Sequence, residues 1–211
     1  MKFLFKSYIL LMAITVWFGL ILQFYLSAKL INEYSRGQNI LHYFSYFTII
    51  TNLLVAFAST AALVKSPSRF TAYLVDFRVV SAITLYIIFV SVIYHIALSS
   101  VWNPQGLQLL ADNLLHYVSP AMFAFYWIII IRNKKLSMSE AFWWLIYPMA
   151  YFAYAILLGK MTGFYPYYFI NVKHIGYVKL GANFIWLLMT FLVMGLLLIG
   201  ISKLINIFLK K

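Results

Sequence analysis

Phe184 to Ile201 reads FIWLLMTFLVMGLLLIGI, a run without one charged side chain. A helix apolar on every face has no side to turn to water. About 20 such residues, rising about 1.5 Å each, cross the ~30 Å hydrocarbon core of a bilayer. The run extends naturally over 184–208. Working outward from it, five further stretches have spanning length: 7–29, 41–64, 78–99, 109–131 and 141–159. The breaks between them carry turn or charge signals: Asn32 to Asn39, Lys65-Ser66-Pro67-Ser68-Arg69, Trp102-Asn103-Pro104-Gln105-Gly106, Arg132 to Glu140, and a long stretch from Lys160 to Asn183. Phe70 to Phe77 reads equally as an interfacial turn of helix or as an extension of the third span. The expectation is an all-α integral membrane protein, a single domain over 1–211 built from six transmembrane helices.

Composition agrees. Of 211 residues, 65% are hydrophobic, 20% aromatic and only 9% charged. A soluble domain carries about 25% charged residues. The net charge of +12 therefore does not read as a nucleic-acid-binding surface; on so apolar a chain the basic groups are topology signals. The first span follows Lys2 and Lys6 as a signal peptide would, but its apolar stretch from Tyr8 to Leu26 is too long for one. The absence of cysteine excludes disulfides, thiolate nucleophiles and Cys-ligated metals.

Lys and Arg set the expected direction. With the N-terminus in the cytoplasm, that side holds Lys2, Lys6, Lys65, Arg69, Arg78, Arg132, Lys134, Lys135, Lys203, Lys210 and Lys211; the other holds Lys29, Arg36, Lys160, Lys173 and Lys179. The excess favours both termini in the cytoplasm. The expected location is a membrane that the chain crosses several times, with membrane lipids as neighbours and no nucleic acid partner.

Ionisable residues inside a bilayer cost a few kcal/mol each, so their positions are informative. On this topology His42, Thr48, Asn52, His95, Asp112 and His116 all lie in the outer half or near the middle, and His174 lies in the outer loop. Helical spacing puts His42, Ser45, Thr48, Asn52 and Ser59 on one face of the second span, Ser81, Thr84, Ser91 and His95 on one face of the third, and Asp112, His116 and Ser119 on one face of the fourth. Three such stripes turned inward would build a wet cavity open to the outside. Thr48 and His116 would sit at equal depth, about 10 Å in at the helical rise. Taken singly, each residue has a plainer use: Ser and Thr hydrogen-bond their own helix backbone, and an Asp near a helix start complements the dipole.

Together they suggest chemistry. A hydroxyl attacks an acyl carbon efficiently when a base takes its proton, and imidazole titrates near neutrality. A carboxylate one turn away can orient the ring. Thr48, His116 and Asp112 supply these roles. His42, Ser45, Asn52, His95 and Trp102 are the candidate substrate-binding residues, and Asn52, Tyr46 and Trp102 are candidates for the oxyanion donor.

The run Tyr46-Phe47-Thr48-Ile49-Ile50-Thr51-Asn52, the pair Leu115-His116 before Ser119-Pro120, the Trp102-Asn103-Pro104 loop and Gly163-Phe164-Tyr165-Pro166-Tyr167 resemble the androgen-induced family of six-helix membrane proteins, its bacterial relatives most closely. The resemblance covers nearly the whole chain and rests on the order and spacing of short motifs. It implies a threonine hydrolase acting on fatty acid esters of hydroxy fatty acids, with Thr48 as nucleophile, His116 as its partner and no cofactor. Asn171 stands where many relatives are expected to carry an acidic residue. Two other classes compete: a metal-dependent membrane hydrolase with His42, His95, His116 and Asp112 around zinc, and a non-catalytic lipid-binding or transport protein. The single-sided polarity of the spans argues against transport.

Overall fold

Uninterrupted apolar sequence leaves the backbone of such a chain one economical solution in lipid, to satisfy its own hydrogen bonds as helix. The computed structural model describes residues 2–29, 35–64 and 68–208, and every regular element among them is helical. In chain order these are α1 (Lys2–Lys29), α2 (Arg36–Ser45), α3 (Phe47–Leu63), α4 (Arg69–Leu74), α5 (Phe77–Leu98), α6 (Gly106–Ile130), α7 (Glu140–Thr162) and α8 (Val172–Phe208). Five of them are long and apolar enough to cross a membrane, and α2 with α3 makes a sixth if that pair, bent by 77°, counts as one span. Asn32 to Tyr34, Lys65-Ser66-Pro67, Lys210 and Lys211, which bear on the expected breaks and direction, lie outside the described residues.

Two elements differ from expectation, and the segment left open between two readings is decided. The segment after Lys65 forms its own short helix, α4, capped by the Ser68 hydroxyl, which accepts from the Thr71 N–H. The stretch 160–183, expected as a connection, is mostly ordered helix. Gly163 ends α7 in the left-handed region (φ 80°), and helix resumes at Val172 as the first turn of α8, which is broken at Gly176 (φ 73°, ψ 165°) before the long apolar helix runs on. Asn171 starts it, its side-chain oxygen accepting from the Lys173 N–H at 3.2 Å. A short polar side chain at a helix N-terminus does this well, which gives this Asn a local structural use.

The largest departure is in the second span. A continuous helix over 41–64 was expected; instead Tyr46 adopts an extended conformation (φ −80°, ψ 130°) and α3 leaves at a steep angle. No Pro or Gly stands at the break. Ending a helix strands its last carbonyls and the next helix's first amides, which need partners where water is scarce. Here tyrosines supply them. The Tyr151 hydroxyl donates to the Ser45 carbonyl at 2.8 Å, the Tyr154 hydroxyl to the Phe44 carbonyl at 3.3 Å, and the Phe47 N–H donates to the Tyr167 hydroxyl at 3.1 Å. The Ser45 hydroxyl closes the set on the His42 carbonyl at 2.6 Å.

Around this break the bundle packs tightly. α5 lies against α3, α6 and α8. Its Phe89 stacks on Phe191 of α8 at 3.8 Å, and Phe47 meets Tyr151 edge-on at 4.9 Å. α1 is tied down by Trp17 donating to Thr60 and Tyr43 donating to the Leu20 carbonyl. The loop after α7 folds back onto that helix, and the Tyr165 ring lies directly over Gly159. A Cβ there would stand 2.2 Å from the ring. Gly159→Ala should therefore displace Tyr165 and lower stability by about 1–3 kcal/mol, the usual cost of overpacking. Thermal unfolding in detergent checks this, and a wild-type midpoint would show that the ring moves freely.

Candidate active site

The break at Tyr46 places Thr48 in the first turn of α3, facing α6. There the Thr48 Oγ1 lies 3.3 Å from Nε2 of His116. On the far side of the ring, Nδ1 is 3.0 Å from the Asp112 carbonyl and 3.3 Å from the Asp112 Oδ1. Both of those oxygens are acceptors. Nδ1 therefore carries the imidazole proton, and Nε2 turns its lone pair to the threonine hydroxyl. That is the tautomer a general base needs.

Two features hold the histidine. The Tyr94 hydroxyl donates to the Asp112 Oδ2, and the Tyr94 ring stacks on the His116 ring at 3.9 Å, 18° from parallel. The backbone also departs from regular α-helix on both sides. Leu114–Val118 of α6 and Tyr94–Leu98 of α5 are each wide turns, with the Ser119 N–H reaching back to the Leu114 carbonyl and the Ser99 N–H to the Tyr94 carbonyl. Pro120 gives the first a physical reason. It has no N–H to offer the carbonyl four residues earlier and crowds it, so the preceding turn opens. Wide turns of this kind are frequent at functional sites.

Asp112 is 6% exposed and His116 14% exposed at the side chain, so the pair is largely shielded from solvent. Thr48, Asp112, His116 and Tyr94 line a cavity of about 440 Å³, together with Gln23, Ser27, Gln108, Trp102 and Tyr167. Thr48, Tyr94, Leu98 and Tyr167 also wall a second, narrow chamber of about 60 Å³ whose other sides are apolar, formed by residues such as Phe89, Phe152, Phe184, Leu188 and Phe191. The threonine thus stands where a dry slot meets a wetter cavity.

The other expected binding residues are elsewhere. The bend takes His42 and Ser45 off the Thr48 face; His42 stacks on Phe164 at 3.8 Å, and Ser45 is fully buried at the break. The wide turn in α5 turns His95 outward, where its Nδ1 meets the Tyr117 hydroxyl at 3.2 Å. Asn52 is fully buried, its amide nitrogen donating to the Thr48 carbonyl at 2.9 Å and the Leu115 carbonyl at 3.1 Å. It clamps α3 to α6 directly behind the Thr48–His116 pair. Ser59, Ser81 and Thr84 are buried and donate to their own helix backbone, so of the three expected stripes only Thr48, Asp112 and His116 line the cavity. Its polar lining from α1 and the start of α6, Gln23 and Gln108, joined at 2.8 Å, carried no stripe signal. Among the described residues no group of three or more His, Asp or Glu side chains is placed to hold a metal ion.

Replacing Asn52 by Ala removes both bonds of the clamp. Interhelical hydrogen bonds of this kind are worth about 1 kcal/mol, so Asn52→Ala should lower the unfolding midpoint modestly. An unchanged midpoint in a detergent melt would show that the clamp is not needed to hold α3 on α6.

Against known proteins the chain matches no family model, no curated protein and no solved structure.

Proposed function

We propose that this chain is an intramembrane lipid ester hydrolase with Thr48 as nucleophile, His116 as general base and Asp112 as the group that orients it. The observation that carries this reading is the ordered relay from the Thr48 Oγ1 to Nε2 of His116, with Nδ1 on Asp112. Nucleophile, base and orienter within hydrogen-bond reach is the arrangement covalent acyl transfer needs.

The steps follow from these contacts. The Thr48 oxygen bonds to the ester carbon, the carbonyl electron pair moves to its oxygen, and the threonine proton passes to Nε2. The pair returns, the bond to the alcohol breaks, and His116 hands its proton to the departing oxygen. Water then repeats the sequence on the acyl-threonine, releasing the acid and restoring the hydroxyl. The Asp112 carboxylate stabilises the imidazolium that forms in each half.

The two chambers favour a lipid ester. A narrow apolar slot suits an unbranched acyl chain, and the larger cavity with Gln23, Gln108 and Trp102 suits the alcohol portion. In this reading the chain spans the membrane six times, α2 and α3 forming one broken span. Both termini are cytoplasmic, the membrane is the inner membrane of a bacterium, and the site opens towards the outer surface. The motifs resembling the androgen-induced family suggest fatty acid esters of hydroxy fatty acids as the first substrates to try. They also identify the same threonine and histidine that the geometry joins.

Thr48→Ala and His116→Ala should each abolish release of fatty acid from such esters by purified protein, with unfolding midpoints near wild type. Asp112→Asn should slow turnover by about 10²–10⁴. Full turnover by a folded Thr48→Ala protein would contradict the assignment.

A further inference from the structure

Acyl transfer places a negative charge on the former carbonyl oxygen, and a hydrolase needs a donor aimed at it. The polar groups around Thr48 narrow the choice. The Asn52 amide nitrogen is committed to two backbone carbonyls behind the nucleophile. The Tyr94 hydroxyl is committed to Asp112, the Gln108 amide to Gln23, and the Tyr151 hydroxyl to the Ser45 carbonyl. The Thr51 hydroxyl is paired with Tyr147 at 2.9 Å.

Tyr167 is placed differently. Its oxygen accepts the Phe47 N–H at the start of α3, which leaves its own O–H to donate. It also lies beside Thr48, with which it walls both the apolar slot and the more polar cavity. It therefore stands where the ester carbon must arrive. Resting on the hydrolase reading above, we propose that the Tyr167 hydroxyl is the oxyanion donor. When the Thr48 oxygen bonds to the acyl carbon, the new oxyanion is attached to that same carbon. Rotation about the phenolic C–O bond aims the Tyr167 O–H at that oxygen. No atom is exchanged: the phenol donates a hydrogen bond as the carbonyl pair moves to oxygen and releases it as the pair returns.

Two physical effects bear on this donor: one polarises it and the other keeps it protonated. The Phe47 N–H, at the positive end of α3, polarises the phenol through its oxygen. Burial pushes the phenol up to about 12, so it keeps its proton at neutral pH. The Tyr167 ring is itself stacked on that of Phe169 at 5.1 Å.

The test compares wild type, Thr48→Ala and Tyr167→Phe on a long-chain p-nitrophenyl ester, with unfolding midpoints measured alongside. Tyr167→Phe should lose about 10² in kcat with KM little changed. Its affinity for a trifluoromethyl ketone, which forms a stable oxyanion on the nucleophile, should fall by a similar factor. Wild-type kcat in folded Tyr167→Phe, or a raised KM with kcat intact, would overturn the assignment while leaving the hydrolase reading standing. No turnover by folded wild type would overturn both. If Tyr167→Phe does not fold, replacing Tyr167 by 3-fluorotyrosine, a more acidic donor of nearly the same shape, should tighten the ketone several-fold. Unchanged ketone affinity would overturn the proposal.

Discussion

A helix that stops in an apolar interior leaves carbonyls and amides with no water to receive them, and an unsatisfied buried polar group is costly. The break at Tyr46 is therefore possible only because phenols from α7 and the following loop reach it. Tyr151 and Tyr154 take up the carbonyls at the end of α2, and the Tyr167 oxygen takes the first amide of α3. Thr48 owes its position to this arrangement. In a straight helix it would be one more hydroxyl bonded to its own backbone, as Ser59 and Thr60 are. At the start of a new helix its side chain is free to meet His116.

The Asp112–His116 pair rests on a similar compromise. A carboxylate away from bulk water needs donors, and Asp112 has two, the Tyr94 hydroxyl and Nδ1 of His116. Those same contacts choose the histidine tautomer. The wide turn before Pro120 brings the ring into line with Asp112 and with the threonine across the interface. Asn52 then ties the Thr48 and Leu115 carbonyls together, so that Thr48 and His116 are held on one seam between α3 and α6.

The helices were legible because long apolar runs without charges have one solution in lipid. Five of the expected spans appear as long helices, with ends shifted by a few residues except at α8. There a short first turn starts at Val172, where the Asn171 side chain accepts the Lys173 N–H, and a break at Gly176 separates it from the long apolar helix. The break at Tyr46 was not legible. Its cause lies in tyrosines more than a hundred positions away, and no Pro or Gly announces it. Regular spacing therefore grouped His42 and Ser45 with Thr48, and it grouped His95 with Ser81 and Thr84 across a wide turn that spacing cannot detect. Thr48, His116 and Asp112 stood out because a hydroxyl, an imidazole and a carboxylate at matching depth are scarce in such a chain. Tyr94 and Tyr167 did not, because 17 tyrosines share their chemistry and most of them pack. Pro120, lying close after His116, was the one local clue to the irregular turn that carries the histidine.

The central claim is that Thr48 is an activated nucleophile, and it can be read directly. Detergent-solubilised protein treated with a fluorophosphonate probe, digested and examined by mass spectrometry should carry one adduct, on the peptide containing Thr48, and His116→Ala should suppress it. Folded wild-type protein that remains unlabelled, or labelling at another hydroxyl that survives Thr48→Ala, would contradict the account.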